Sequence, residues 1–402
     1  MSTKKFDIVI AGAGIVGLAS AMNLLKTKRD LKIAILEKED KIALHQTGNN
    51  SGVIHSGIYY KPGSQKAVNC KLGYDKMLQF AKENDIPYDI CGKIIVATQT
   101  KELASLENIY NRGVANGLNG IKKISAEETK EIEPYVHSIE SVWVPQAGII
   151  DYKKVAAKYA EIIQELGGEI YLGHKIIGVK ESQEGVHIET ENQTFFGKKF
   201  INACGLYSDK ITKMTNREAD VQIIPFRGEY YVLNKKKEYL VKNLIYPVPD
   251  PQFPFLGVHF TRMINGGIEA GPNAVLAFAR EGYKKTDINF GEFWETLRFS
   301  GFRKIAQKYW KEGAEEMYRS WSKNAFCKAL QALIPEIQIH DIEPGNAGIR
   351  AQACDSKGNL VDDFLIYESN AIVNVCNAPS PAATASIAIG EQIAERTLKS
   401  WS

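Results

Sequence analysis

The chain has 402 residues, 44% of them apolar and 24% charged, with a formal net charge of +3. That length is enough for two domains with a substantial core, while the small charge and the lack of any Lys/Arg block argue against nucleic-acid binding. No apolar run approaches membrane-spanning length, the N-terminus runs straight into a strand pattern, and the six cysteines show no CxxC or zinc-type spacing. A cytoplasmic protein with reduced thiols and no metal site is expected.

Phe6 to Glu37 organises the rest. The apolar run Ile8-Val9-Ile10 leads into Gly12-Ala13-Gly14-Ile15-Val16-Gly17, then an Ala/Leu-rich helix, then a second strand, Lys32 to Leu36, closed by Glu37. This is the order of a dinucleotide-binding βαβ unit: Gly12 permits the tight turn, Gly14 lets backbone approach a pyrophosphate, and Gly17 brings helix and strand together. The helix start offers unpaired N–H groups to phosphates, and Glu37 is placed to accept from a ribose hydroxyl. An acid at that position disfavours the 2′-phosphate of NADP; the motif by itself leaves FAD and NAD open.

His45 to Tyr60 is dense in small and hydrogen-bonding residues, suited to a loop whose backbone contacts a ligand. A helix is expected over Lys66 to Asn84, a strand over Lys93 to Thr98 and a helix over Lys101 to Asn116. Ser125 with Glu127 and Glu128 reads as a helix start, and Asp151 as the cap of a helix from Tyr152 to Leu166. Short strands follow Gly167-Gly168, and Lys199 to Asp209 repeats the strand-into-small-residue turn of the opening. Aromatic-rich strands (Gly228 to Leu233, Leu244 to Pro249, Phe255 to Thr261) predict an antiparallel sheet. Phe290 to Leu333 reads as helical and rich in aromatics; basic residues outnumber acids across Arg298 to Lys328, which suits a membrane surface, while packing on its own sheet is the preferred reading. A final strand, a turn at Asn377 to Thr384 and an Ala-rich helix, read as starting at the prolines, return to the first domain.

Together these segments resemble the FAD-dependent oxidoreductases of the D-amino-acid-oxidase and glycine-oxidase type, and within them the L-2-hydroxyglutarate oxidase/dehydrogenase branch. The resemblance rests on Gly12 to Gly17 with Glu37, HQTGNNSGVIHSGIYYKPGS (45–64), GIID (148–151), NACGLYSD (202–209), FRGEYY (226–231), PFLGVHFTR (254–262), GPNA (271–274), GIRAQ (348–352), LVDDF (360–364) and NAPSPAATAS (377–386). It implies an α/β chain with an α+β second domain: a Rossmann-like FAD domain of the glutathione-reductase type (1–85, 148–215, 343–402) and a discontinuous antiparallel-sheet substrate domain (86–147, 216–342). It also implies oxidation of a 2-hydroxy dicarboxylate, with O2 or a membrane quinone as electron acceptor. Related enzymes on glycerol 3-phosphate, malate or an amino acid are the main alternative, and a flavin-binding scaffold without turnover a lesser one. For FAD the resemblance adds Thr47, Asn50, Ser51, the Val179 backbone, Ala203, Gly205, Asn377, Ala378, Pro379, Ser380, Ala382, Ala383 and Thr384.

Oxidising a 2-hydroxy acid needs a carboxylate clamp and a group to take the hydroxyl proton. Arg350 is the first choice for the clamp, since a guanidinium matches a carboxylate bidentately. For a second carboxylate, Arg227, Arg262, Tyr230 and Tyr231 are candidates, with pairing to an internal acid the equal alternative for the two arginines. Histidine suits the base at neutral pH, and His259 is preferred, with His55 as a flavin-side partner or covalent tether. A twofold strand period puts His259 and Thr261 on one face and Phe260 and Arg262 on the other, so His259 and Arg262 should not both face the flavin.

Overall fold

The computed structural model describes residues 3–250, 257–399 and 401. The first part of the strand expected from Phe255, and of the 254–262 motif, lies outside the described residues.

Two large sheets carry the architecture. In the first, five parallel strands run in the order Ile372–Asn377, Thr194–Asn202, Lys4–Ala11, Ile33–Leu36, Glu169–Tyr171, and Leu365–Glu368, Val186–Thr190 and Ile176–Glu181 add antiparallel at its margins. Alternation along Lys4–Ala11 explains why it sits in the middle. Ile8 and Ile10 enter one core with the helices Ile15–Thr27, Tyr152–Glu165 and Ser386–Lys399, while Val9 and Ala11 enter another with Phe195, Phe200 and Ile211. Both faces are covered, as a parallel sheet requires, and each fully buried Ile or Leu contributes roughly 1.5–3 kcal/mol. Asp151 caps its helix as expected, accepting from the Lys153 N–H at 2.9 Å.

The second sheet has eight strands, in the order Ile342–Cys354, Gln222–Leu233, Ile268–Leu276, His259–Arg262, Leu244–Pro247, Lys93–Ala97, Glu140–Val144, Lys122–Ser125. It is antiparallel except where Leu244–Pro247 runs parallel to Lys93–Ala97. Ile342–Cys354 pairs along its length with Gln222–Leu233, so the segment after 343 begins in this sheet and joins the first only from Leu365. A small sheet of Val53–Ile54, Gly148–Ile150 and Tyr88–Asp89 stands beside them.

The stretch 290–333 is four short helices, Phe290–Arg298, Ser300–Lys308, Trp310–Trp321 and Lys323–Gln331, where the sequence reads as one helical stretch. Breaks fall at Phe299, Tyr309 and Ser322, and the Ser322 hydroxyl caps the last helix by accepting from the Ala325 N–H. Phe326 and Leu330 of that helix are buried on the second sheet. The final helix likewise starts at Ser386 rather than at Pro379 or Pro381, which lie in the preceding turn. Among the described residues no helix is long and apolar enough to cross a membrane.

Candidate active site

A cavity of about 1660 Å³ opens between the carboxyl ends of the first sheet and the second sheet. One arm is built by the βαβ unit. Gly12 has φ +98°, and a Cβ there would lie 2.6 Å from the Ala203 carbonyl oxygen; at Gly17 it would lie 2.1 Å from that of Gly12. The two loops therefore touch through backbone, and only glycine permits it. Gly14 offers the helix no side-chain cap of its own and lines the cavity with Ile15 and Val16, so the helix start faces the cavity. Glu37 is buried, accepts from the Ala13 N–H at 2.9 Å, and lines the same wall. Such a cradle fits the ribose and pyrophosphate of a dinucleotide.

Thr47, Asn50, Ser51, Ala203, Gly205 and the whole turn Asn377 to Thr384 also line the cavity. Several of them first organise their own loops. Thr47 Oγ1 accepts from the Ile15 N–H at 3.0 Å, the Asn50 amide donates to the Thr47 carbonyl at 2.7 Å, and the Asn377 amide donates to the carbonyls of Val361 and Asp363. Thr384 Oγ1 accepts from the His55 N–H at 3.1 Å and shares a hydrogen bond with the Tyr152 hydroxyl. Gly17 and Val179 do not line the cavity. Val179 lies in the core under the first sheet, and the arm beyond Glu37 is lined instead by His174, Lys175 and Ile176.

At the other arm, His55, Tyr59, Tyr60, Tyr230, Tyr246, His259 and Arg350 converge. Arg350 projects from Ile342–Cys354, which comes close to the 45–51 loop because position 348 is glycine: a Cβ there would meet the Asn49 carbonyl oxygen at 2.5 Å. Burial weakens the hold of Arg350 on its proton, and the phenols of Tyr230 and Tyr60 oppose that effect. Tyr230 stands at a register shift between Glu229 and Tyr231, one residue facing two on each neighbouring strand (Gly271 and Pro272, Gly345 and Asn346), and it lines the cavity. His259 is 6% exposed, its Nδ1 lies 2.9 Å from the Gly257 carbonyl oxygen, and its ring stacks on Tyr246 with centroids 4.0 Å apart. Burial lowers its pKa to about 4, against a modest opposing effect of the Gly257 bond, with Lys93 and Arg350 adding to the depression. His55 falls to about 3, again chiefly through burial and then through Lys93, His259 and Arg350. With Nδ1 protonated toward Gly257, the Nε2 of His259 carries the lone pair.

Three sequence candidates sit elsewhere. Arg227 is buried outside the cavity; its Nε and Nη2 donate to Glu229 Oε1 at 3.0 and 2.8 Å, so its charge is spent on a neighbour two residues along the same strand face. Tyr231 packs on Phe326, centroids 4.6 Å apart, beneath the helices. Arg262 lies on the strand face opposite His259, donates to the Lys242 carbonyl at 2.9 Å and approaches Asp89 at 3.5 Å. A second-carboxylate clamp is therefore not built from these residues. Sequence reasoning put Tyr59 and Tyr60 in the ligand-contacting loop without giving their side chains a part, and missed Tyr246 and the buried Lys93, which only folding brings together; half-buried Glu269 lies outside the cavity. Burial raises the Glu269 carboxyl to about 7.

The family described as FAD dependent oxidoreductase matches residues 7–396. The chain belongs to that family. It is 55% identical over 98% of its length to the L-2-hydroxyglutarate dehydrogenase of Indibacter alkaliphilus, covering 99% of that protein. Against the mitochondrial L-2-hydroxyglutarate dehydrogenase of Homo sapiens it is 44% identical over 98% of its length and 89% of the relative's. Its fold matches L-alpha-glycerophosphate oxidase from Mycoplasma pneumoniae with FAD bound, at a TM-score of 0.80 and 24% identity over 100% of this chain and 96% of that one. Glycine oxidase from Geobacillus kaustophilus gives a TM-score of 0.75 at 17% identity, covering 100% and 96%. The protein is thus an FAD-dependent oxidoreductase, and the cradle of Gly12, Gly14 and Glu37 fits that cofactor.

Proposed function

We propose that this protein oxidises L-2-hydroxyglutarate to 2-oxoglutarate. The observation that carries the reading is the cluster at the second arm of the cavity: Arg350 beside two imidazoles whose lone pairs are free at neutral pH. When bound, FAD supplies the acceptor for the hydride leaving C2.

The chain's own part is positioning, charge and a proton. Arg350 pairs with the C1 carboxylate through two parallel N–H donors and so fixes which face of C2 is presented. Tyr230 and Tyr60, whose phenols are held protonated by burial, are donors for the remaining carboxylate oxygens. His259 accepts the hydroxyl proton at Nε2 as C2 becomes a carbonyl. Enclosure by Tyr59, Tyr246 and Tyr60 excludes water and strengthens each of these interactions. The identities of 55% and 44% with enzymes named for this substrate support the same assignment.

Anaerobic addition of L-2-hydroxyglutarate to the purified holoprotein is the test, with the oxidised flavin absorbance as readout. Bleaching by the L but not the D compound is expected. Failure to bleach with FAD bound, together with bleaching by glycerol 3-phosphate, malate or an amino acid, replaces the substrate and keeps the fold. Restoring the colour with air or with a quinone then identifies the acceptor, for which O2 and a membrane quinone are the two readings.

Peripheral contact with a membrane through 290–333 is part of the same proposal. Phe290, Trp310, Tyr318 and Trp321 are 79%, 64%, 66% and 69% exposed, which favours an interfacial face. Co-flotation with liposomes, lost when these four become serine, is expected; equal flotation of both proteins sinks the contact.

A further inference from the structure

Lys93 opens the strand Lys93–Ala97 and is 1% exposed. Its Nζ lies 4.6 Å from the ring centroid of Tyr59 and 4.9 Å from that of Tyr246. Among the described residues no carboxylate is in ion-pair range of it. The groups that face it are Tyr59, Tyr246, the Cys70 thiol, and across the rings His55 and His259. An ammonium buried without a counter-charge costs several kcal/mol, and two aromatic faces return only part of that. Methionine would fill the same space at no such cost, so the charge needs a use. Tyr246 supplies the connection: the ring near Lys93 is the one on which His259 stacks.

We propose that Lys93 is a positioning residue for the oxidation, acting through the Tyr59 and Tyr246 rings to hold the His259 and His55 imidazoles proton-free and ready to receive the substrate's hydroxyl proton. The same charge, set behind the aromatic wall, adds positive potential to the arm of the cavity that holds Arg350, where Arg227 and Arg262 supply none. Burial brings the lysine itself to about 7, so its influence is strongest in acid, where the imidazoles most need protection.

This inference rests on the reading of His259 as proton acceptor, and its first test does not depend on the donor. In holoprotein carrying 15N-imidazole histidine, assigned with His55→Gln and His259→Gln, both resonances should stay neutral from pH 8 to about pH 5. The His259 signal should also show a second, smaller inflection near pH 7 as Lys93 titrates. In Lys93→Met and Lys93→Gln the His259 midpoint should rise by about 1 pH unit, and Lys93→Arg should restore it. The acid limb of the flavin-reduction rate, read with whichever donor bleaches the flavin, should move with it. An unshifted His259 midpoint in either neutral variant overturns the proposal, as does a wild-type signal without the second inflection. Failure of L-2-hydroxyglutarate to bleach the flavin would instead strike the substrate and leave these titrations standing.

Discussion

The imidazole of His259 lies nearly parallel to the ring of Tyr246, the centroids 4.0 Å apart and the planes 27° apart. This stack fixes the ring plane while the bond to Gly257 fixes the tautomer, so one nitrogen is committed to structure and the other to chemistry. Replacing His259 by Gln keeps much of the shape and removes the base. The flavin-reduction rate should fall by roughly 10²–10⁴ with FAD content unchanged, measured by stopped-flow absorbance. A loss below tenfold would shift the proton to His55.

Arg350 and Arg227 should separate cleanly. Arg350→Met should lower kcat/KM on the order of 10²-fold or more, since it leaves the substrate carboxylate unpaired in an enclosed site. Arg227→Met should leave KM within about twofold, yet destabilise the fold by about 3 kcal/mol, since it leaves buried Glu229 with only the more distant Lys285 and the Asn273 amide. Steady-state kinetics and urea unfolding of the two variants check the contrast.

Arg280 and Asp209 form a buried pair, 2.6 and 2.8 Å across two hydrogen bonds, and Asp209 also accepts from the Ile223 N–H. The pair ties the turn after Ala203 to the segment following Ile268–Leu276. Arg280→Ala should cost about 3–5 kcal/mol in urea unfolding, with release of FAD at lower denaturant than in the wild type.

Acid should destabilise the protein in a defined window. His55 and His259 have folded pKa values of about 3 and 4, below the unfolded 6.5, so the unfolded chain binds more protons between those limits. Their contribution is complete above pH 6.5 and is lost as pH falls through about 4, at about 1.4 kcal/mol per unit for each group. Lys93, lowered from 10.5 to about 7, makes stability rise further between those values. Thermal unfolding of wild type and Lys93→Met should differ in slope above pH 7, with the variant flat from that source.

Gly12→Ala should yield protein without flavin. Its Cβ would meet the Ala203 carbonyl at 2.6 Å on a backbone that alanine rarely adopts. Flavin absorbance per protein chain checks this.

Local pattern announced a good part of this in advance. The opening βαβ unit is set by contiguous glycines, apolar alternation and a terminal acid, and the opposite facing of His259 and Arg262 follows from the twofold strand period. Distance along the chain hid the rest. Ile342–Cys354 finds its partner more than a hundred residues upstream, so its place in the second sheet has no local signal. Tyr230 turns inward at a register shift that only two neighbouring strands define. Lys93 looks like an ordinary solvated lysine until Tyr59 and Tyr246 close over it. Of the two readings open for Arg227, pairing with an internal acid is the one the structure shows, and Glu229, two positions away on the same strand face, was the local signal for it.

The hydrogen bond from the His55 N–H to Thr384 joins residues 329 apart in sequence. Nearly the whole protein must therefore be synthesised before the cavity closes, and the nucleotide-binding sheet and its core also wait for Ile372–Asn377 and Ser386–Lys399. Stable flavin loading is consequently a late event.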